Sequence, residues 1–103
     1  MSFEELQQSV ARDAAPPAAL GIAVQALWHD AAQQNAAGWE RAHECAQADH
    51  SRAGSWVHAY LHRKEGDLAN AGYWYARAGK TPPLKSVTLE AEWAEIARAL
   101  VGG

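Results

Sequence analysis

The sequence predicts an all-α protein, and three observations support this class. Of the 103 residues, 24 are alanine, the strongest helix former, whereas β-branched residues are scarce. Five tryptophans supply large side chains that can fill the space between alanine-lined helices. Apolar residues recur at steps of three and four along most of the chain, which is the spacing of an amphipathic helix. We therefore expect about six helices, packed as antiparallel hairpins.

The length and the prolines predict a single helical domain over residues 1–103, because a chain this short has room for one core. Within it we expect an N-terminal capping helix in residues 1–15, two helical hairpins in residues 17–80 and a C-terminal capping helix in residues 88–101.

Charge and composition exclude several classes of protein. The net charge of −3 argues against a nucleic-acid surface, which needs an excess of lysine and arginine. The one cysteine, Cys45, rules out a disulfide scaffold. No apolar run approaches the ~20 residues of a membrane span, and the N-terminus is acidic rather than leader-like. A cytoplasmic protein that binds neither nucleic acid nor membrane is the expectation.

A capping box and two prolines delimit the first two helices. Ser2 and Glu5 have the spacing at which each side chain bonds the other residue's backbone amide at a helix start. The first helix should end before Pro16, since a residue that precedes proline avoids the helical region. Pro17 is expected to open the second helix, which continues to about Gln34.

Polar turns are expected before the third and fourth helices. Residues 35–38 should separate the second helix from a short helix that begins near Trp39. Residues 49–54 are predicted to form a loop, with Ser55 as the N-cap of a helix that runs to about Glu65.

The last two helices have clear boundaries in the sequence. Gly66 and Asp67 are typical of a helix stop followed by an N-cap, and Gly79 is expected to end the helix that follows. Thr88 should cap a final helix, whose apolar face comprises Leu89, Trp93, Ile96 and Leu100.

One segment resembles the second helix of a tetratricopeptide or Sel1-like unit. It covers residues 66–78, with Ala71, Tyr75 and Ala78 at the matching positions. A longer stretch, mainly residues 20–100, is similar to a group of small bacterial proteins of uncharacterised function. The resemblance implies a short tetratricopeptide-like array or a compact bundle, and no assigned activity. Fewer than three clean repeats cannot form the concave groove of a solenoid.

Three polar residues of the fourth helix form a candidate site. His58, His62 and Glu65 lie one turn apart along one edge of that helix, opposite its apolar stripe, so we expect them to face outward. Two imidazoles and a carboxylate at this spacing can bind a metal such as zinc. His29 or His43 from the neighbouring hairpin could complete such a site.

The favoured interpretation needs no metal and no catalytic residue. Outward-facing side chains of the fourth and fifth helices would form a contact surface for a protein segment or for a second copy of the chain. Its residues are His58, His62, Arg63, Tyr73 and Arg77. On this interpretation the protein is a non-catalytic interaction module without a cofactor, and the alternative is a metal-binding protein or metal-dependent enzyme that uses His58, His62 and Glu65.

Overall fold

Six helices make up the protein in a computed structural model that describes residues 1–101, and within that range there is no strand. This confirms the all-α class. The radius of gyration is 12.4 Å, close to the ~13 Å of a compact chain of about this length. The helices are α1 (Phe3–Arg12), α2 (Ile22–Ala32), α3 (Ala36–Ala48), α4 (Arg52–Glu65), α5 (Leu68–Ala78) and α6 (Leu89–Leu100).

Most of the predicted helix ends are confirmed by hydrogen bonds. The Ser2 hydroxyl accepts from the Glu5 amide, and the Glu5 carboxylate accepts from the Ser2 amide, so the capping box is complete. Asp67 and Thr88 cap α5 and α6 through their side chains. Gly66 has a φ of 88°, which a residue with a Cβ adopts only with strain, and it ends α4 as expected.

The predicted starts of α2, α3 and α4 are wrong. α2 begins at Ile22 rather than at Pro17, because residues 17–20 form a turn in which the Leu20 amide bonds the Pro17 carbonyl. α3 begins three residues before Trp39, and Asn35 is its N-cap. α4 begins at Arg52, with Ser51 rather than Ser55 as its N-cap.

α4 occupies the centre of the protein and packs against α2, α3, α5 and α6. Its nine consecutive residues from Gly54 to His62 are all buried. α2 packs closely against α3, and α4 packs closely against α5. α1 lies against α2. A helix surrounded in this way has no outward edge over most of its length, so its polar side chains must find partners inside the protein.

Two buried carboxylates hold α4 to its neighbours. Asp30 of α2 is 1% exposed and accepts hydrogen bonds from the Tyr60 hydroxyl at 3.0 Å and the Lys64 ammonium at 2.8 Å. Glu92 of α6 accepts in the same way from the Tyr75 hydroxyl and, at 2.8 Å, from the Arg63 guanidinium. Each charge is paired and hydrogen-bonded, the condition under which a buried carboxylate is tolerated.

The aromatic side chains fill the core as the sequence suggested. Trp56 and Tyr75 are buried, and Trp93 is half-buried. The indole N–H of Trp93 donates to the Leu27 carbonyl at 3.0 Å, and that of Trp28 donates to the Ser9 hydroxyl at 3.1 Å. Within residues 1–101, no helix combines the length and the apolar character that crossing a bilayer requires.

Candidate metal centre

The histidines of α4 point into the protein, which corrects the expectation that they face outward. His58 is 3% exposed and His62 is 6% exposed. The side of α4 opposite its apolar stripe is covered by α3 and α5 rather than by solvent. The periodicity of one helix shows which residues share an edge, but not whether a second layer of helices covers that edge.

A third imidazole, that of His43 on α3, joins the two on α4. The three side chains can each offer a ring nitrogen such that these ligand atoms lie within 4.8 Å of one another. The ring centroids are 4.7 Å apart for His43 and His58, 5.2 Å for His43 and His62, and 4.8 Å for His58 and His62. We call these three residues the histidine cluster.

Two tryptophans flank the histidine cluster. The Trp39 indole stacks on His43 with the ring centroids 4.8 Å apart and the planes at 11°. The Trp74 indole stacks on His58 at 3.9 Å and 15°. Each stacked ring holds its imidazole near this arrangement, which favours a ligand set that needs only small movements to bind a metal.

Burial and repulsion between the imidazoles lower the pKa of two of the three histidines, His58 and His43. Burial, followed by the charges of His43 and His62, lowers the pKa of His58 to about 4. Burial, followed by the charge of His62, also lowers the pKa of His43. His58 is therefore neutral near pH 7, and a neutral imidazole is the form that binds a metal ion.

Glu65 contacts His62 but does not complete the histidine cluster. Its Oε2 lies 2.5 Å from Nδ1 of His62. With the Nδ1 proton donated to this carboxylate, Nε2 of His62 carries the lone pair that a metal needs. A carboxylate that orients a metal-binding imidazole through its other nitrogen is the usual arrangement around such ligands. The predicted set of His58, His62 and Glu65 is thus replaced by three imidazoles with Glu65 behind one of them.

A second group of ligand atoms includes the same histidine. His62, Glu65 and Asp67 also bring one ligand atom each within 4.8 Å, but both carboxylates are on exposed residues. Asp67 is already engaged as the N-cap of α5, where its side chain accepts from the Asn70 amide at 3.2 Å. The histidine cluster is therefore the stronger candidate.

Of the other three residues of the predicted contact surface, one is largely buried and two are exposed. Arg63 is not outward-facing: its side chain is 13% exposed and is bonded to Glu92 and to the Val87 carbonyl. Tyr73 is 55% exposed, as expected, and Arg77 is exposed beside it. The Arg77 guanidinium donates to the Tyr73 hydroxyl at 3.3 Å. The five residues thus do not form one surface.

Sequence reasoning missed the two flanking tryptophans and named His43 only as an optional partner. His29, the other optional partner, lies apart from the cluster and lines a cavity with Trp28 and Arg41. Trp39 and His43 lie four residues apart on α3, a spacing at which an aromatic ring can stack on an imidazole. This spacing could have indicated the contact between them from the sequence.

Comparison with models of protein families, with curated proteins and with solved structures gives no significant match. The resemblance of residues 66–78 to a tetratricopeptide or Sel1-like helix therefore stays a prediction. What the protein does must be argued from its own side chains.

Proposed function

We propose that the protein binds a divalent transition-metal ion, with Zn²⁺ as the first candidate, through His43, His58 and His62. The observation that carries the proposal is the convergence of three imidazoles from two helices in a largely buried place. Zinc accepts imidazole nitrogens readily, and three histidines are a known ligand set for it. Mg²⁺ and Ca²⁺ prefer oxygen ligands such as carboxylates, so a site made of imidazole nitrogens does not suit them.

The hydrogen bonds of the cluster support this function. Within residues 1–101 only His62 among the three forms a side-chain hydrogen bond, the one to Glu65. Every fully enclosed side-chain nitrogen or oxygen described has a hydrogen-bond partner, so the unbonded nitrogens of His43 and His58 reach open space. Histidines that serve packing alone are normally bonded to a carbonyl or a hydroxyl, whereas a metal ion satisfies the nitrogens of His43 and His58 directly.

The geometry requires a modest closure on binding. Zn–N bonds of 2.0–2.1 Å in a tetrahedron place ligand nitrogens about 3.3 Å apart. The nitrogens here lie within 4.8 Å, so rotations of the side chains that bring them together by up to ~1.5 Å are enough.

Calorimetric titration of the untagged protein with Zn²⁺ tests the proposal. We expect saturation at one equivalent. Replacing His58 by Phe keeps a ring against Trp74 and removes both nitrogens, so affinity should fall by more than about 100-fold. His62→Ala should have a similar effect, while the matched control His29→Gln should bind as the wild type does.

Two results would overturn the proposal. One is the absence of a saturable zinc isotherm in a protein whose circular dichroism shows it folded. The other is equal loss of affinity in His29→Gln and His58→Phe, which would mean that binding is spread over surface histidines. The protein-contact function, predicted for His58, His62, Arg63, Tyr73 and Arg77, stays a prediction, and of these five residues only Tyr73 and Arg77 are exposed.

A further inference from the structure

A cavity of about 310 Å³ adjoins the histidine cluster. It lies between the end of α3, the first turns of α4 and the second half of α5. His58 belongs to both places, because its ring is part of the cluster and also lines the cavity. Trp74, which stacks on His58, and Arg77 line it as well.

Two buried polar side chains of α4 face this cavity without a partner in the protein. Ser55 is 5% exposed and His58 is 3% exposed, and neither side chain forms a hydrogen bond within residues 1–101. Every fully enclosed polar side-chain atom described has a partner. The Ser55 hydroxyl and the His58 nitrogens must therefore reach open space, and the cavity is the space that both residues line.

One guanidinium, that of Arg77, and one carboxylate, that of Asp49, line the cavity, and the guanidinium is the group that suits a small anion. The Arg77 guanidinium lies over the Trp74 ring at 5.5 Å from its centroid, which holds it at the cavity wall. The Asp49 carboxylate accepts from the Ser51 backbone amide at 2.9 Å and keeps its negative charge at the opposite end of the chain segment that leads into α4. The planar guanidinium provides paired donors that suit a carboxylate-like anion, and the Ser55 hydroxyl adds one more.

A three-histidine site leaves a coordination position free for such an anion. Tetrahedral zinc with three protein ligands keeps its fourth position for water or for an exchangeable ligand. We propose that this position faces the cavity beside His58 and that a small carboxylate-like anion enters there, bound by the metal and by Arg77. The inference rests on the proposed metal function and adds the class of ligand that the metal would exchange.

Cobalt-loaded protein provides the test, because the visible absorption of Co²⁺ changes when its ligands change. The untagged protein is loaded with one equivalent of Co²⁺ and titrated with azide, and separately with formate, at constant ionic strength. We expect a saturable spectral change with each anion. Arg77→Met should weaken anion affinity by about 10-fold or more, the value of a hydrogen bond to a charged group.

Matched variants separate a specific contact from a general loss of charge. Arg98→Met removes an exposed arginine that likewise lies over an aromatic ring, that of Phe3, and it should leave anion affinity unchanged. Arg77→Lys, which keeps the charge but not the planar fork, should fall between the wild type and Arg77→Met. Affinity for Co²⁺ itself should stay within about 2-fold in all three variants, since none of these residues belongs to the histidine cluster.

The outcomes distinguish this inference from the proposed function. If Co²⁺ binds and neither anion changes its spectrum, the metal site is closed, and this inference is wrong while the proposed function stands. Equal effects of Arg77→Met and Arg98→Met would likewise overturn the role of the cavity. If no Co²⁺ or Zn²⁺ binds to the folded protein, both proposals are wrong.

Discussion

The two ring nitrogens of His62 lie in different chemical surroundings. Nδ1 is held by the Glu65 carboxylate at 2.5 Å, while the ring also packs edge-on against Trp39. Because Glu65 is only three residues further along α4, this contact is built into one helix and forms wherever that helix forms. The carboxylate fixes the orientation of His62 before any ion arrives.

Replacing Glu65 by Gln should reduce zinc affinity by about 10–100-fold, the usual effect of removing a partner behind a metal-binding histidine. The amide keeps the length of the side chain but loses the charge that orients the Nδ1 proton. Competition with a chromophoric chelator measures the change. The control is Glu44→Gln, an exposed glutamate next to His43 that bonds no histidine. Equal losses in the two variants would mean that Glu65 acts only through net charge.

The sequence identified the residues of this site better than their arrangement. The spacing of His58, His62 and Glu65 correctly indicated that the three share an edge of one helix. It could not distinguish a carboxylate that binds a metal from one that binds the neighbouring imidazole, because both roles need the same spacing. His43 comes from a different helix, and its position depends on how α3 packs on α4.

At the scale of single helices, the misplaced starts of α3 and α4 have one cause. Gly38 and Gly54 were interpreted as parts of turns, yet each lies in the first turn of a helix, three residues after a polar N-cap. The chain folds back so closely there that a Cβ on Gly38 would collide with the carbonyl oxygen of Gln33. A glycine needed for close approach looks, in sequence, like a glycine that ends a helix.

Alanine substitutions at two helical glycines should have opposite effects on stability. Gly38→Ala should lower the free energy of unfolding by about 1–3 kcal/mol, because backbone must shift to relieve the collision. Gly72→Ala in α5 should raise it by about 0.5–1 kcal/mol, since no atom beyond its chain neighbours and the backbone of its own helix lies within 4 Å of the new methyl group, and alanine favours the helix. Urea unfolding followed by circular dichroism measures both. A neutral or stabilising Gly38→Ala would contradict the close approach.

At the scale of the whole molecule, the sequence predicted six helices but not which of them lies in the middle. α4 carries two histidines, two arginines, a lysine and a glutamate, a composition typical of a surface helix. It is central because its polar groups find partners on other helices: Asp30 for Tyr60 and Lys64, and Glu92 for Arg63. Pairings between residues about thirty positions apart leave no local periodic signal, so they become visible only when the helices are assembled.

Acid should destabilise the metal-free protein through the histidine cluster. The pKa of His58 is lowered from 6.5 to about 4 in the folded state, so the unfolded chain takes up its proton first as pH falls. The contribution of the neutral His58 to the free energy of unfolding is fully present above pH 6.5, and it decreases as the pH falls from about 6.5 to 4. Below about pH 4 it no longer changes. Thermal unfolding with a chelator present, from pH 7.5 to 4, measures this. His58→Phe should show a flatter profile over that range, and an unchanged slope in this variant would assign the acid sensitivity to other groups.

The Trp39 indole N–H donates to the Leu61 carbonyl at 2.8 Å, which fastens the ring stacked on His43 to the helix that carries His58 and His62. The complete ligand set exists only when α3 and α4 are docked, because a separated α4 offers just a pair of imidazoles. An ion held here would therefore distinguish a finished protein from a nascent or heat-opened one, and it would be released as soon as the two helices part.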